Sequence, residues 1–471
     1  MKLYQLTISQ TKEGFKKKKF SVKELVSSCL EQIKNLNPKL NAFITVCEEE
    51  ALKEAKKRDL GFKKFRNLGE IFEKFPLWGI PIAAKDLFCT KGIKTTAASK
   101  VLENYIPVYD ATVIRKLKEA GAIIIGKTNC DAWAHGSSGE NSDFGPTKNP
   151  FDETRVPGGS SSGSAVAVAT GMSLAATGTD TGGSIRLPAA FCGVVGLKPT
   201  YGRVSRFGVI AMASSLDSIG HFTKNVEDSA LILSITAGND PYDATTPPLE
   251  VPDYLKNLKK EIKGIKIGVP KEYFIKGMAR EIEQQTLLAI KKLEKLGAEI
   301  VEVSLPHTKY ALATYYIIQP AEVSSNLARY DGIRYGFGRE KFGDEAKRRI
   351  MLGTYTLSAG YYEAYYLKAM RVRTLIRKDF RDAFEKVQAI VAPVSPTLPF
   401  KLGEKTQDPL KMYLSDIFTI PASLAGLPAL SLPIGFVNNL PVGMQVLGPQ
   451  FSEELLFKIG YALEQQRKNE K

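Results

Sequence analysis

Two glycine-glycine-serine turns constrain this sequence more than any other feature. They are Gly158-Gly159-Ser160 and Gly182-Gly183-Ser184, and both lie within residues 156–199. Small residues let a backbone approach another backbone or a ligand closely, and successive amides in such turns can hold negative charge. A bare Gly/Ser run would be a flexible linker. Here the segments AVAVA and SLAAT between the turns predict burial, so we interpret the stretch as two rigid loops held on packed elements.

A serine in such a loop needs a neighbouring base before it can act as a nucleophile. The usual base is histidine, but the 3 histidines, His135, His221 and His307, all lie outside the stretch, so a Ser–His–Asp site has little support. The phosphate-loop pattern G-x-x-x-x-G-K-[ST] is also absent. The remaining candidate base is a lysine, and Lys85 offers one, at the end of an apolar run that predicts a buried strand from Leu77 to Lys85. Burial favours the neutral amine, which can accept a proton, whereas a solvated loop lysine is the alternative.

Three segments in this order resemble the amidase signature family. They are I-P-I-A-A-K-D at 80–86, P-G-G-S-S-S-G-S at 157–164 and D-T-G-G-S-I-R at 180–186. The resemblance implies a serine–cis-serine–lysine triad with Ser184 as nucleophile, Ser160 as the bridging cis-serine and Lys85 as base.

The same resemblance extends to groups around the triad. It implies that the backbone amides of Thr181, Gly182 and Gly183 hold the oxyanion. A related G-S-S loop lines the substrate pocket in family members, which makes Gly136 and Ser137 pocket candidates.

Further segments resemble the branch of this family that hydrolyses glutamine for tRNA-dependent transamidation. They are 315–318, 321–332, 347–353, 358–366 and 412–416. In that branch an arginine holds the α-carboxylate of glutamine and an aspartate holds its α-ammonium. These groups correspond to Arg349 and Asp416, with Tyr315 nearby. The pairing is physically apt, because a guanidinium binds a carboxylate in a bidentate manner.

The resemblance therefore implies a glutamine amidohydrolase subunit that releases ammonia for the conversion of Glu-tRNA(Gln) to Gln-tRNA(Gln). It implies no cofactor in this chain, and ATP and Mg²⁺ in a partner subunit. The implied partners are the amidotransferase subunits B and C, with tRNA bound mainly through the partner.

Two alternatives remain open at this point. The first is a free-standing amidase of the same family that acts on another amide. The second is a basic RNA-binding scaffold, because Lys and Arg number 65 against 50 Asp and Glu, a formal net charge of +15. A Lys-rich surface without a nucleic-acid partner explains the same charge. The sequence departs from the family pattern at Ser162, Leu187 and His135, and we expect His135 to be a hydrogen-bonded histidine beside a packed Trp133.

The expected fold is α/β, with a large mixed central sheet covered by helices on both faces. We predict one amidase domain over residues 1–471, helical over about 1–70 and with an excursion at about 240–400. A capping box at Ser21–Glu24 predicts a helix that ends near Pro38. Leu430–Ile434 predicts a strand, and the pattern from Tyr361 to Val387 predicts a long helix.

Bulk features indicate the compartment. The 5 cysteines are scattered without C-x-x-C spacing, which argues for a reducing environment and against a metal site. The N-terminus lacks an apolar signal core, and no run of about 18 apolar residues exists. We therefore expect a cytoplasmic protein without a membrane span.

Overall fold

The computed structural model describes residues 2–62, 68–333 and 336–469. Its described strands form an 11-stranded mixed sheet. In chain order they are β1 (Phe43–Val46), β2 (Pro81–Lys85), β3 (Ile123–Thr128), β4 (Ala175–Asp180), β5 (Val195–Lys198), β6 (Ser218–Thr223), β7 (Lys266–Pro270), β8 (Glu299–Val303), β9 (Ala389–Pro393), β10 (Ala429–Val437) and β11 (Leu440–Leu447). Their spatial order is β1-β3-β2-β4-β6-β5-β10-β11-β9-β7-β8.

Helices precede, connect and follow these strands. They are α1 (Ile8–Lys16), α2 (Val22–Leu40), α3 (Glu48–Phe62), α4 (Leu68–Lys74), α5 (Thr112–Glu119), α6 (Ser162–Ala169), α7 (Arg186–Cys192), α8 (Val226–Thr236), α9 (Arg280–Lys295), α10 (Ala311–Leu327), α11 (Asp344–Thr356), α12 (Lys368–Phe384), α13 (Pro409–Tyr413), α14 (Ile420–Ala425) and α15 (Glu453–Asn469).

The sheet mixes strand directions, as expected. Strand β2 runs parallel to β3 and β4, and β7 runs parallel to β8 and β9, while the other pairs are antiparallel. Every residue of β2 to β6 is buried. Successive side chains of a strand point to opposite faces, so both faces of this part of the sheet are covered. The predicted fold class is confirmed.

Several predicted elements differ in their limits. The capping box of Ser21 is present, but the helix continues through Pro38 to Leu40. The strand before Lys85 begins only at Pro81, because Gly79 has a φ of 76° and turns the chain ahead of it. The predicted long helix opens as a π-helix at Tyr362–Leu367 before α12.

Strands β1 and β11 are among those that the sequence did not predict. The N-terminal helical region also contributes β1, whose 4 residues pair with β3, and residues 63–67 of that region lie outside the described residues. Strand β11 pairs with β10 through a turn at Asn438 and Asn439, which have φ values of 50° and 61°. An Asn-Asn pair between apolar runs is a hairpin signal, because asparagine tolerates positive φ.

Candidate active site

Lys85 ends strand β2 and is fully buried. Its Nζ donates hydrogen bonds to three hydroxyl oxygens: Ser160 Oγ at 2.9 Å, Ser161 Oγ at 2.9 Å and Thr179 Oγ1 at 2.8 Å. No carboxylate of the described residues lies within ion-pair distance of this amine. Burial lowers the pKa of Lys85 from 10.5 to about 8, because the surroundings disfavour the charged form. An appreciable fraction of the amine is therefore neutral near neutral pH.

Ser160 lies on a turn that two hydrogen bonds fix from outside. The Gly159–Ser160 peptide bond is cis, as the resemblance implies. The Asp131 amide donates to Ser160 O at 3.1 Å, and the Gly159 amide donates to Ser137 O at 2.8 Å. Helix α6 begins immediately after this turn, so the cis-serine lies at a helix start.

Ser184 lies on the turn between β4 and α7, and its side chain is mostly buried. The Ser161 amide donates to Ser184 O at 3.2 Å and ties the two serine turns together. A fully buried ion pair closes the Ser184 turn, with Arg186 Nη2 at 2.9 Å from Asp180 Oδ1. No hydrogen bond joins the Ser160 and Ser184 hydroxyls among the described residues.

The turn before Ser184 leaves no room for larger residues. A Cβ added at Gly182 would lie 2.8 Å from Tyr315 Cζ, and one at Gly183, whose φ is 152°, would meet Thr419. No described residue accepts a hydrogen bond from the amides of Gly182, Gly183 or Ser184. The turn can therefore offer backbone donors to an oxyanion beside Ser184.

Two buried, oppositely charged residues lie beside this turn. The Ser137 hydroxyl donates to Asp416 Oδ2, and Asp416 Oδ1 lies 3.2 Å from the position of a Gly183 Cβ. Burial raises the pKa of Asp416 to about 7. Arg349 is 3% exposed and donates from Nε to Glu345 Oε1 at 2.8 Å. Its guanidinium carbon lies 5.5 Å from the centre of the Tyr316 ring, and the neighbouring carboxylate raises the pKa of Arg349.

The predicted site residues converge on the carboxyl ends of β2 and β4. Gly136 and Ser137 belong to one loop, and Gly136 packs against the Asp131 carboxylate, where a Cβ would overlap it. The departures from the family pattern are accommodated: the Ser162 hydroxyl donates to Thr147 Oγ1 at 3.1 Å, and Leu187 joins an apolar cluster with Phe191.

The prediction for His135 is wrong in one respect. Its side chain is buried, but neither ring nitrogen has a hydrogen-bond partner among the described residues. Burial and the nearby Arg349 lower its pKa well below 6.5, so the ring is neutral. The neighbouring Trp133 is a packed aromatic, as predicted, and stacks on Phe342 with ring centres 5.4 Å apart.

Sequence reasoning missed several groups of the site. Ser161 and Thr179 share Lys85 with Ser160, and Thr179 was detectable because it is the last residue but one of the strand before the Ser184 turn. Glu345 was detectable from its position four residues before Arg349, since such residues meet on a helix face. Asp131 accepts hydrogen bonds from the amides of Gly139 and Asn141 in the Gly136–Ser137 loop. The sequence carried no signal for these contacts, because the partners are backbone amides.

Among the described residues no group of three or more His, Cys, Asp or Glu side chains could hold a metal ion. None of the described helices is long and apolar enough to cross a membrane.

Comparison with known proteins identifies the family of the chain. The Amidase family matches residues 24–457. The chain therefore belongs to the amidase family. It is 55% identical to the A subunit of a glutamyl-tRNA(Gln) amidotransferase of Carboxydothermus hydrogenoformans, covering 99% of this chain and 98% of the relative. The corresponding A subunit of Sulfurihydrogenibium sp. is 53% identical over 98% and 97%.

Solved structures show the same fold. The crystal structure of the glutamyl-tRNA(Gln) amidotransferase A subunit from Thermotoga maritima has a TM-score of 0.83 and 47% identity, covering 98% of this chain and 95% of that chain. A peptide amidase from Stenotrophomonas maltophilia has a TM-score of 0.82 and 30% identity, over 98% and 97%. An amidotransferase subunit and a peptide amidase thus share this architecture.

Proposed function

We propose that this chain is the glutamine-hydrolysing A subunit of a glutamyl-tRNA(Gln) amidotransferase. The observation that carries the proposal is the pair of buried charges beside the Ser184 turn, Arg349 and Asp416. Glutamine differs from a simple amide by its α-carboxylate and α-ammonium, and a desolvated pocket must match both charges. The names of the relatives, at more than half identity over nearly the whole chain, support the same assignment.

In the proposed reaction, neutral Lys85 takes a proton from Ser160 as Ser160 takes one from Ser184. Ser184 Oγ then forms a bond to the side-chain carbonyl carbon of glutamine. The backbone amides of Thr181, Gly182 and Gly183 stabilise the oxyanion. The proton returns through Ser160 to the leaving nitrogen, and ammonia departs. Water then hydrolyses the glutamyl ester by the same proton path, which gives glutamate and regenerates Ser184.

The substrate is held at its other end. Arg349 binds the α-carboxylate of glutamine, and Asp416 binds its α-ammonium. The Ser137 hydroxyl donates a hydrogen bond to the Asp416 side chain and orients it. Tyr315 packs against Gly182, where an added Cβ would lie 2.8 Å from Tyr315 Cζ. Gly136 lies in the same loop as Ser137, and we assign it to the loop side of the pocket.

The fate of ammonia sets the partners. We infer that the chain works as one amidase domain over residues 1–471 in the cytoplasm, with amidotransferase subunits B and C. The partner subunit binds most of the tRNA and uses ATP and Mg²⁺ to activate glutamate on the mischarged tRNA. The excess of basic residues on this chain suits a complex that handles a polyanion.

The proposal is tested by comparing glutamine with a small neutral amide that lacks both α groups. Truncating one partner of a buried charge pair typically costs about 2–5 kcal/mol. Arg349→Ala and Asp416→Ala should therefore lower kcat/KM for glutamine at least about 30-fold, at about 1.4 kcal/mol per tenfold. Activity on the neutral amide should change much less, because Ser184 and Lys85 are untouched.

The matched control is Ser184→Ala, which should abolish both activities and labelling by an electrophilic glutamine analogue. Labelling at Cys130 or Cys192 would contradict the assignment; burial raises the pKa of both thiols. Equal losses on both substrates would show that the charged pair is structural. If a hydrophobic amide is a better substrate than glutamine, and neither Arg349→Ala nor Asp416→Ala lowers kcat/KM, a free-standing amidase would be favoured.

A further inference from the structure

One loop touches both halves of the candidate site. Two main-chain hydrogen bonds join residues 131–141 to the cis-serine turn. The Asp131 amide donates to Ser160 O, and the Gly159 amide donates to Ser137 O. The same loop reaches the substrate pocket through the Ser137 hydroxyl, which donates to Asp416. A displacement of this loop would therefore move two residues together: Ser160, which relays the proton in the proposed reaction, and Ser137, which donates to Asp416.

The carboxylate of Asp131 accepts hydrogen bonds from backbone amides of this loop. Asp131 is fully buried and accepts hydrogen bonds from the Gly139 amide at 3.1 Å and from the Asn141 amide at 2.9 Å. The carboxylate fills the space beside Gly136 and Gly159, where an added Cβ would overlap it. It is thus enclosed by the loop on one side and by the cis-serine turn on the other.

We propose that Asp131 is a positioning residue for the reaction: its carboxylate fixes the 131–141 loop against the Gly159–Ser160 turn, so that Ser137 and Ser160 are set by one buried group. The inference rests on the proposed function for the identity of the substrate. Residues that support reacting groups in this way control rate, because small displacements of a reacting atom are costly.

The charge of Asp131 gives this role its own signature. Three carboxylates face Lys85 and raise its pKa against the larger effect of burial: Asp131 after β3, Asp180 at the end of β4, and Asp217 before β6. Cys130 also faces Lys85, but burial raises the pKa of its thiol, which is therefore uncharged. Asp131 itself faces Lys85 and Glu140, and burial raises its pKa to about 7. Removing the Asp131 charge should lower the pKa of Lys85, since an anion favours the ammonium form.

The test is Asp131→Asn in the full chain, because asparagine keeps the size but loses one acceptor oxygen and the charge. Rates are expressed per active site titrated with an electrophilic glutamine analogue. We expect kcat to fall on the order of 100-fold, and the acidic limb of the kcat/KM profile to move to lower pH.

The matched control is Asp228→Asn in the first turn of α8. Asp228 is also buried and also accepts two backbone hydrogen bonds, from the amides of Ile8 and Ser9. Burial raises its pKa to about 7 as well. This variant should unfold at lower temperature, yet keep the wild-type kcat per site and pH profile. An Asp131→Asn enzyme that behaves like this control overturns the proposal.

If Asp131→Asn does not fold, Gly136→Ala applies the same displacement from outside, because its Cβ would overlap the Asp131 carboxyl. Gly435→Ala is its control, since the Cβ there meets only the flexible end of Gln285. Gly136→Ala should lower kcat per site at least about tenfold on glutamine and on a small neutral amide alike. A change confined to KM for glutamine would mean that the alanine blocks only the pocket, and would contradict the proposal.

Failure of the proposed function is recognised separately. A wild-type chain that hydrolyses another amide but not glutamine refutes the glutaminase assignment. The ratio of Asp131→Asn to wild-type activity on that amide then still tests the positioning role.

Discussion

Two lysines, Lys85 and Lys127, are buried on neighbouring parallel strands but have different partners. Both are fully buried, at the ends of β2 and β3. Lys127 Nζ donates to Phe88 O at 2.7 Å and to Thr95 Oγ1 at 2.6 Å, and it lies 3.5 Å from Asp86 Oδ1. Among the described residues, Lys85 Nζ donates to hydroxyl oxygens alone.

The difference teaches how one sheet can hold a proposed base and an ion pair side by side. Burial lowers the pKa of both lysines, and the Asp86 carboxylate favours the charged form of Lys127. The hydroxyl of Thr95 donates onward to Ile93 O, a carbonyl that only accepts, so the Lys127 proton has no path to a reacting group. Ser160, beside Lys85, can pass a proton because its hydroxyl both donates and accepts. A base therefore needs partners that pass protons and carry no charge.

The largest expected loss of activity comes from placing a permanent positive charge at position 85. Lys85→Arg should lower glutaminase kcat at least about 10⁴-fold, nearly as much as Lys85→Ala, because arginine stays protonated. Single-turnover glutamine hydrolysis measures the loss. An arginine variant with near wild-type activity at neutral pH would end the distinction between the two lysines.

Substitution of Lys127 should lower the stability of the protein and not its catalytic rate. Lys127→Met leaves Asp86 as an unpaired buried charge, so the free energy of unfolding should fall by about 3–5 kcal/mol. Denaturant unfolding measures this loss, and kcat per titrated site should stay within about tenfold of wild type. The double variant Lys127→Met/Asp86→Asn should recover part of the stability, because the charge is gone while Thr96 keeps an acceptor. A larger loss in kcat than in stability would assign Lys127 to the chemistry.

The sequence alone could not separate these two residues. An apolar run precedes Lys85, and Ile123-Ile124-Ile125-Gly126 precedes Lys127 in the same way. Strand pattern therefore predicts two buried lysines, and only the family resemblance selects Lys85. What distinguishes them physically is the set of partners, which come from β4 and the Ser160 turn in one case and from the loop after β2 in the other.

Local signals predicted local structure well. The capping box at Ser21 and the Gly-Gly-Ser turns describe their own backbone, so the sequence carries them directly. Contacts between distant segments, such as the one between Ser137 and Asp416, could not be predicted without the resemblance. The unpaired ring of His135 was mispredicted because satisfaction of a buried group depends on the residues that surround it in space.

The pH dependence sharpens the comparison further. In the proposed reaction Lys85 acts as the neutral amine, and its pKa is about 8, so kcat/KM should fall about tenfold per pH unit below that value. At pH 6 the rate constant on an amide without an α-ammonium should be about 100-fold below its plateau. Asp416, with a pKa of about 7, adds to this limb for glutamine but not for an amide without an α-ammonium. Lys127→Met should leave the limb in place, and a limb that moves with that variant would contradict the separate roles.

The smallest expected effect removes one hydroxyl from the base. Thr179→Val is nearly isosteric and deletes one of three acceptors of Lys85 Nζ, while Ser160 and Ser161 remain. One lost hydrogen bond is worth about 0.5–1.5 kcal/mol, so kcat should fall about 2- to 10-fold. Because the lost oxygen stabilised the ammonium, the pKa of Lys85 should also fall and the acidic limb should move to lower pH. The matched control is Thr177→Val on the same strand, whose hydroxyl accepts from the Lys85 backbone amide at 2.9 Å. That control should lower stability without moving the limb, whereas equal limb shifts in both variants would mean that the strand, and not the hydroxyl contact, sets the base.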